Sequence, residues 1–551
     1  MTSNSYERIH GGFSLEDAEG ELSRPAASGL NACYECCDRH AERDPDRPAL
    51  FYESQAGDSA IYTFGQLRAL SAQFANFLTG QGIKPGDRLS AMLPRRPELL
   101  VAILGAWRVG AVYQPLFTAF GPKAIEHRLQ QAGSRMIITD TVNRPKLETV
   151  QGLPTVVTIS GDGALPVGDL DFWKELRKHP AQFAPVMRSA DDGYLIMFTS
   201  GTTGPSKALT VPLRAIAAFV GYMKYAIDLR PEDRFWNVAD PGWAYGLYYA
   251  VTGPLAMGLP TLFYDGPFNV ESTVRVIRKY GVTNLAGSPT AYRLLIAAGP
   301  EALAPIKGQL RVVSSAGEPL NPEVIRWFRD NLDVTIHDHY GQTETGMVLC
   351  NHHALDHPVH LGSAGFSSPG HRVVVLDDDD HELPPGQPGI LSLDRRASPL
   401  LWFTGYEGTA TPALGETYYR SGDTVELNPD GSISFVGRAD DVITSSGYRI
   451  GPFDVESALL EHPAVIEAAV VGKPDPERTE LVKAFVVLGA GHAASDALSA
   501  QLQQHVKLRL SAHAYPREIE FVAELPKTPS GKIQRFILRN AEKAKAEAAA
   551  G

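Results

Sequence analysis

From about residue 60 the sequence alternates helical periodicity with short, wholly apolar runs, and this alternation restricts the fold to helices layered on largely parallel sheets. Thr63, followed by Phe64 and Gln66, has the form of an N-cap and predicts a helix over 64–79. The apolar run from Leu99 predicts a buried helix over 99–109, and 110–115 reads as the buried strand after it. Further short strands are expected at 136–139 and 156–159. Beyond about residue 360 the character changes. Turns such as Pro384-Pro385-Gly386-Gln387-Pro388-Gly389 separate β-rich runs at 373–376 and 390–393, which implies a small β-barrel-like lobe closing the first domain. A second break follows Gly437-Arg438, and the alternating runs 464–471 and 482–488 belong to a compact α+β unit. The expected division is an α/β N-terminal domain of layered sheets over 1–439 and a small domain over 440–551, its tail from 541 a fraying helix.

Composition narrows the function classes. A formal charge of −12 and a pI near 5.8 disfavour nucleic acid or an anionic membrane as the main partner, so anionic substrates need local donors. The longest apolar stretch, 99–113, is interrupted by Arg108 and two glycines and predicts no membrane span. The polar first 30 residues lack a leader pattern and are expected to wrap the surface of a cytoplasmic protein. Three of four cysteines crowd into Cys33-Tyr34-Glu35-Cys36-Cys37, expected on an amphipathic first helix as reduced thiols, since no ligand pair follows at zinc spacing. His353 and His357 stand four apart, but Pro358 argues against a helix, and the segment reads as a polar loop. Asp377 to Asp380 reads as a solvated hairpin turn.

The strongest local signal is an apolar strand running into Thr199-Ser200-Gly201-Thr202-Thr203-Gly204-Pro205-Ser206-Lys207, with a second apolar run behind it. Glycines permit close backbone approach, and successive N–H groups with hydroxyls form an anion nest. The spacing is not that of a Walker A loop, and the residue types alone leave an exposed Ser/Thr/Gly turn equally open. Five further segments follow: Ala316-Gly317-Glu318-Pro319-Leu320; Asp338-His339-Tyr340-Gly341-Gln342-Thr343-Glu344-Thr345-Gly346; Tyr419-Arg420-Ser421-Gly422-Asp423; a block from Phe435 through Arg438, Asp440, Ser446, Gly447 and Arg449; and Pro526-Lys527-Thr528-Pro529-Ser530-Gly531-Lys532.

In this order the segments resemble the adenylate-forming superfamily of acyl-CoA synthetases, luciferases and peptide-synthetase adenylation domains, across about residues 30–540. The resemblance is greatest to the medium-chain or short-chain acyl-CoA synthetases. It implies that 199–207 closes over the ATP phosphates, that Gly317, Glu318 and Pro319 line the adenine, that Tyr340 stacks on it, and that Asp338 and Gln342 belong to the nucleotide site. It further implies that Thr343 meets the α-phosphate, Glu344 helps hold Mg²⁺, Asp423 takes the ribose hydroxyls, and Arg438 with Arg449 completes the nucleotide site. A carboxylate beside a triphosphate needs a cation between them, and Mg²⁺ takes oxygen ligands. By the same resemblance Asp440 is the hinge of a mobile lid, Ser446 and Gly447 flank the pantetheine path of coenzyme A, and Lys532 reaches the carboxylate and α-phosphate during adenylation.

The reaction implied is an acid–thiol ligation in which carboxylate, ATP and CoA give acyl-CoA, AMP and pyrophosphate. Trp243, Ala244, Tyr245, Ala316 and Gly341 are expected to line the acyl pocket; acetyl-specific relatives carry Trp at the position of Gly341. The expected substrate is a short branched or medium-chain acid. The alternatives are an aromatic, benzoate-like acid stacked on Trp243 and Tyr245, or delivery to a carrier-protein thiol instead of CoA. The lead-in from Pro526 to Lys532 also resembles the target of protein lysine acetyltransferases and deacetylases.

Overall fold

The computed structural model describes residues 4–161, 165–199, 206–445, 448–475, 478–510, 513–528 and 532–550. Thr63 caps the helix Phe64–Gly80 with a reciprocal Thr63/Gln66 capping box, as its sequence predicts. That helix buries Phe64, Leu67, Phe74, Phe77 and Leu78. Full burial of each contributes roughly 1.5–3 kcal/mol, which far outweighs its helix propensity. It lies against Pro97–Arg108, a helix buried on every face that starts on its proline. Such a helix tolerates Arg108 only because Asp38 and Ser71 take its guanidinium.

Behind these helices runs a seven-stranded sheet in the order Leu170–Asp171, Thr155–Ile159, Met136–Asp140, Arg88–Met92, Val112–Pro115, Gly193–Phe198, Ala208–Pro212. All its pairings are parallel except the last, so the 199–207 loop is the connection of an edge hairpin. A ten-stranded sheet carries the rest of the large domain. Phe235–Asn237, Asn284–Gly287, Val312–Ala316 and Ile336–Gln342 are parallel neighbours, and from Gly346–Cys350 onward every pairing is antiparallel. The expected barrel-like lobe is this antiparallel half. It continues the parallel half through Gly346–Cys350 and ends at Val373–Leu376, with no closing strand pair among the described residues.

The smaller C-terminal domain begins its sheet at Ile443–Ser445, five residues after the ten-stranded sheet ends at Arg438. Val465–Asp475 and Thr479–Leu488 form its long hairpin, Glu518–Phe521 joins the latter in parallel, and Arg535–Ala550 packs on Val465–Asp475. The tail is therefore the end of a helix that starts earlier than composition suggested.

One local expectation needs correction. Cys33, Cys36 and Cys37 do not lie on an amphipathic first helix. Two short helices, Tyr6–Gly11 and Leu15–Glu19, precede them, and Tyr34–Asp38 is a wide π turn in which even Glu35 and Asp38 are buried. Those acids tolerate burial because Ser23 and Arg39 take Glu35 while Arg108 takes Asp38. The thiols are free; Cys36 and Cys37 point at the carbonyls of Thr252 and Phe64. His353 stands in the loop after Gly346–Cys350, as expected, and its ring stacks on His337 at 3.7 Å.

Candidate active site

The site forms where the ten-stranded sheet changes from parallel to antiparallel, a seam at which strand ends diverge and open a crevice. Ile336–Gln342 supplies Asp338, Tyr340 and Gln342; a turn over 343–345 supplies Thr343 and Glu344 before Gly346–Cys350 returns. Across the crevice, Asp423 on Tyr418–Leu427 stands directly opposite Arg438 on Ile433–Arg438.

Asp423 receives two hydrogen bonds on one oxygen, from the Tyr340 hydroxyl at 2.5 Å and from Gln342 Nε2 at 3.1 Å. Gln342 is itself oriented by the Tyr419 hydroxyl, which donates to its Oε1 at 2.8 Å. Burial raises the Asp423 pKa, and Tyr340, Arg438 and Gln342 oppose the rise. The other carboxylate oxygen has no neighbour in this network, so it is free to accept from a pair of vicinal hydroxyls. Asp338 is 8% exposed, takes the Leu320 N–H at 3.1 Å, and is pushed up to about 8 by burial. Its Oδ1 is buried without a hydrogen-bond partner among the described residues, an orphan that a ligand donor would satisfy.

Glu344, also 8% exposed, accepts from the Tyr406 hydroxyl at 2.6 Å, and burial raises its pKa. A hard carboxylate oxygen of this kind suits Mg²⁺ held chiefly by phosphates. Glu318 accepts from Thr290 and Arg293, and Gly317 has φ +100°, a conformation that favours glycine. Lys532 arrives from the small domain. Its Cε stands 4.0 Å from where a Cβ on Gly317 would be. Its chain is solvent-exposed at the mouth, yet the surrounding protein lowers the ammonium pKa through burial, against the pull of Glu318, Asp423 and Glu344 and with the help of Arg438.

The sequence residues are thus brought to one crevice with some exceptions. Ser200, Gly201, Thr202, Thr203 and Gly204, Ser446 and Gly447, and the Arg449 side chain lie outside the described residues. Thr199 and Lys207 close their hairpin through Thr199 N–H to the Lys207 carbonyl. Asp440 is paired with Arg438 at 3.4 Å, and its carbonyl accepts from Arg539 at 2.6 Å.

The acyl residues separate. Trp243 packs on Phe117 and Phe120, whereas Tyr245 meets the Tyr222 hydroxyl, which is bonded to His339 Nδ1 at 2.8 Å. Ala244 is half-buried and Ala316 buried. At Gly341 a Cβ would collide with the Gly346 carbonyl and lie 2.7 Å from Met347 Cα, so a side chain at 341 would point into the neighbouring strand. Sequence reasoning also missed Tyr406, because its importance rests on partners remote in the chain.

A family model for AMP-binding enzymes matches residues 37–398, and a second, for their C-terminal domain, matches 454–532. The chain belongs to the AMP-binding enzyme family. It is 37% identical over 547 residues to acetyl-coenzyme A synthetase of Bacillus subtilis, covering 97% of this chain and 94% of that one. A crystal structure of Brucella canis acyl-CoA synthetase is 58% identical, with TM-score 0.81 and coverage of 98% and 100%. The anthranilate CoA ligase AuaEII, solved with anthranoyl-AMP, is 26% identical at TM-score 0.86, covering 95% and 100%. This member of the family is accordingly an ATP-dependent, AMP-forming acid–CoA ligase; Mg²⁺ is typical of the family. Among the described residues no helix is long and apolar enough to cross a membrane.

Proposed function

We propose that this ligase activates a short branched or medium-chain aliphatic acid in a cytoplasmic setting, and that its two half-reactions use one crevice in turn. The observation that carries the reading is the position of Lys532 beside Gly317, facing Glu318, Asp423 and Glu344. An ammonium at the end of a long stem there neutralises charge as the carboxylate attacks the α-phosphate and pyrophosphate leaves. Asp423 holds the ribose, Tyr340 and residues 317–319 flank the adenine, and Asp338 takes its amino group. Glu344 would hold Mg²⁺, which when bound neutralises the phosphates. Thr343 and the 199–207 loop meet the phosphates; Arg438 and Arg449 complete the site. The small domain, residues 440–551, then turns about Asp440, withdraws Lys532 and presents Ser446 and Gly447 to the thiol of CoA. Acetylation of Lys532 by a protein acetyltransferase would remove the charge and stop the first step only.

The substrate class is supported by the character of Trp243, Ala244, Tyr245 and Ala316, none charged and two of them small. Such a lining favours a monocarboxylate with an uncharged tail. The aromatic alternative is favoured by the two rings and by the likeness to an anthranilate ligase. Pyrophosphate release across C2 to C10, branched and aromatic acids tests the choice. Highest kcat/KM among C4–C8 or branched acids is expected; a benzoate optimum overturns it, and absence of acyl-CoA product with CoA alone would favour a carrier-protein acceptor.

A further inference from the structure

We propose that Tyr406 is a positioning residue that couples Lys207 of the glycine-rich hairpin to the carboxylate of Glu344, so that lysine and metal-bearing oxygen are set as one unit for the triphosphate. The proposal rests on the reading of Glu344 as the Mg²⁺-bearing carboxylate. Tyr406 touches both partners with different parts of its side chain. Its hydroxyl donates to Glu344 Oε1 at 2.6 Å, and its ring faces Lys207 Nζ 4.9 Å from the centroid. The second distance is within cation–π range.

The segment bearing Tyr406 is irregular, yet it is fastened to the strand that leaves the hairpin loop. Tyr406 N–H donates to Thr411 Oγ1 at 2.9 Å, and the ring meets Phe403 edge-on. The next residue, Glu407, donates its N–H to the carbonyl of Ala208, the residue after Lys207, at 2.8 Å. The Glu407 carboxylate binds Arg88 and the Thr210 hydroxyl, so two strands converge on this one turn. With Oε1 so engaged, Glu344 keeps Oε2 for the cation or its bound water, in a fixed rotamer.

The test is calorimetric binding of α,β-methylene-ATP, with and without Mg²⁺, to the full chain and to Tyr406→Phe, Tyr406→Leu and Glu344→Gln. Tyr406→Phe keeps the ring and is expected to leave metal-free affinity within about twofold while cutting the Mg²⁺-dependent gain about tenfold, the usual consequence of losing a hydrogen bond to a charged acceptor. Tyr406→Leu should weaken metal-free binding as well, because Lys207 loses its ring. In pyrophosphate release, Tyr406→Phe should raise the Mg²⁺ concentration for half-maximal rate and lower kcat with the KM for the acid unchanged. If Glu344→Gln abolishes the Mg²⁺ gain and Tyr406→Phe retains it, the coupling is wrong while the role of Glu344 stands. If Glu344→Gln leaves the gain intact, the reading of Glu344 falls, and the proposal with it.

Discussion

Lys532→Ala removes one ammonium from the crevice and alters no other group described there. The stem's Cε lies 4.0 Å from where a Cβ on Gly317 would stand. Unit charges about 4 Å apart in a partly solvated site interact by about 4 kcal/mol at an effective dielectric of about 20. Only the part that grows between bound substrate and transition state affects kcat. Deleting one preorganised donor typically costs about 2.7–4 kcal/mol, or about a hundred- to a thousandfold in rate. ATP–pyrophosphate exchange measures the first half-reaction, and thioester formation from chemically prepared acyl-adenylate measures the second. Exchange should fall by about that factor, and thioester formation should remain within a few-fold, because Lys532 has then withdrawn. Equal losses in the two assays would refute the alternation, and unchanged exchange would refute the role of Lys532 altogether.

Gly341→Ala should destabilise without lengthening or shortening the preferred acid: its methyl meets Gly346 and Met347 backbone, an overpacking that costs roughly 1–3 kcal/mol. A lowered melting temperature with an unchanged acid-length profile is expected; a changed profile would restore 341 to the acyl wall. Asp440→Pro removes freedom at the proposed hinge, so exchange should survive while thioester formation falls, both read in the assays above. Stability should fall as pH drops from about 6.5 towards 4. Burial holds His337 and His371 near about 4 and His339 near about 3, so the unfolded chain takes up protons first, at about 1.4 kcal/mol per tenfold difference in proton affinity. Asp338, raised to about 8, works in the opposite sense over about 8 to 4 and offsets about one of these three histidines. Melting at pH 7 and pH 5 checks this; His371→Asn should flatten the slope, and a slope of opposite sign would contradict it.

What the sequence made legible was local. The capping box at Thr63, the hairpin around 199–207 and the apolar strands depend on neighbours a few residues away, and they stand where the pattern put them. Continuity of the antiparallel lobe with the parallel sheet depends on pairing between Gly346–Cys350 and Ser363–Ser367, which no period announces. Gly341 was ambiguous for a physical reason. A glycine leaves room either for a ligand or for the chain's own backbone, and only the bulged register of its strand pair decides which. Glu35 and Asp38 gave the cysteine segment a polar stripe, yet their cations, Arg39 and Arg108, carry that polarity into the core. Tyr406 had no local signal at all: its partners lie 62 positions away at Glu344 and far upstream at Lys207.

The four residues that bridge the two sheets have a consequence for the order of assembly. Arg539 grips the Asp440 carbonyl and the Asp441 carboxylate across 99 and 98 positions of chain. Closing so long a loop is entropically expensive, and non-local contacts of this kind form late. On a ribosome, the large domain can therefore complete its sheets while the bridge hangs slack, because its fastener has yet to be made. On the site proposed above, the newborn large domain would hold Tyr340, Glu344 and Asp423 before anything constrains the lid, so a nascent chain would bind ATP before it could turn over.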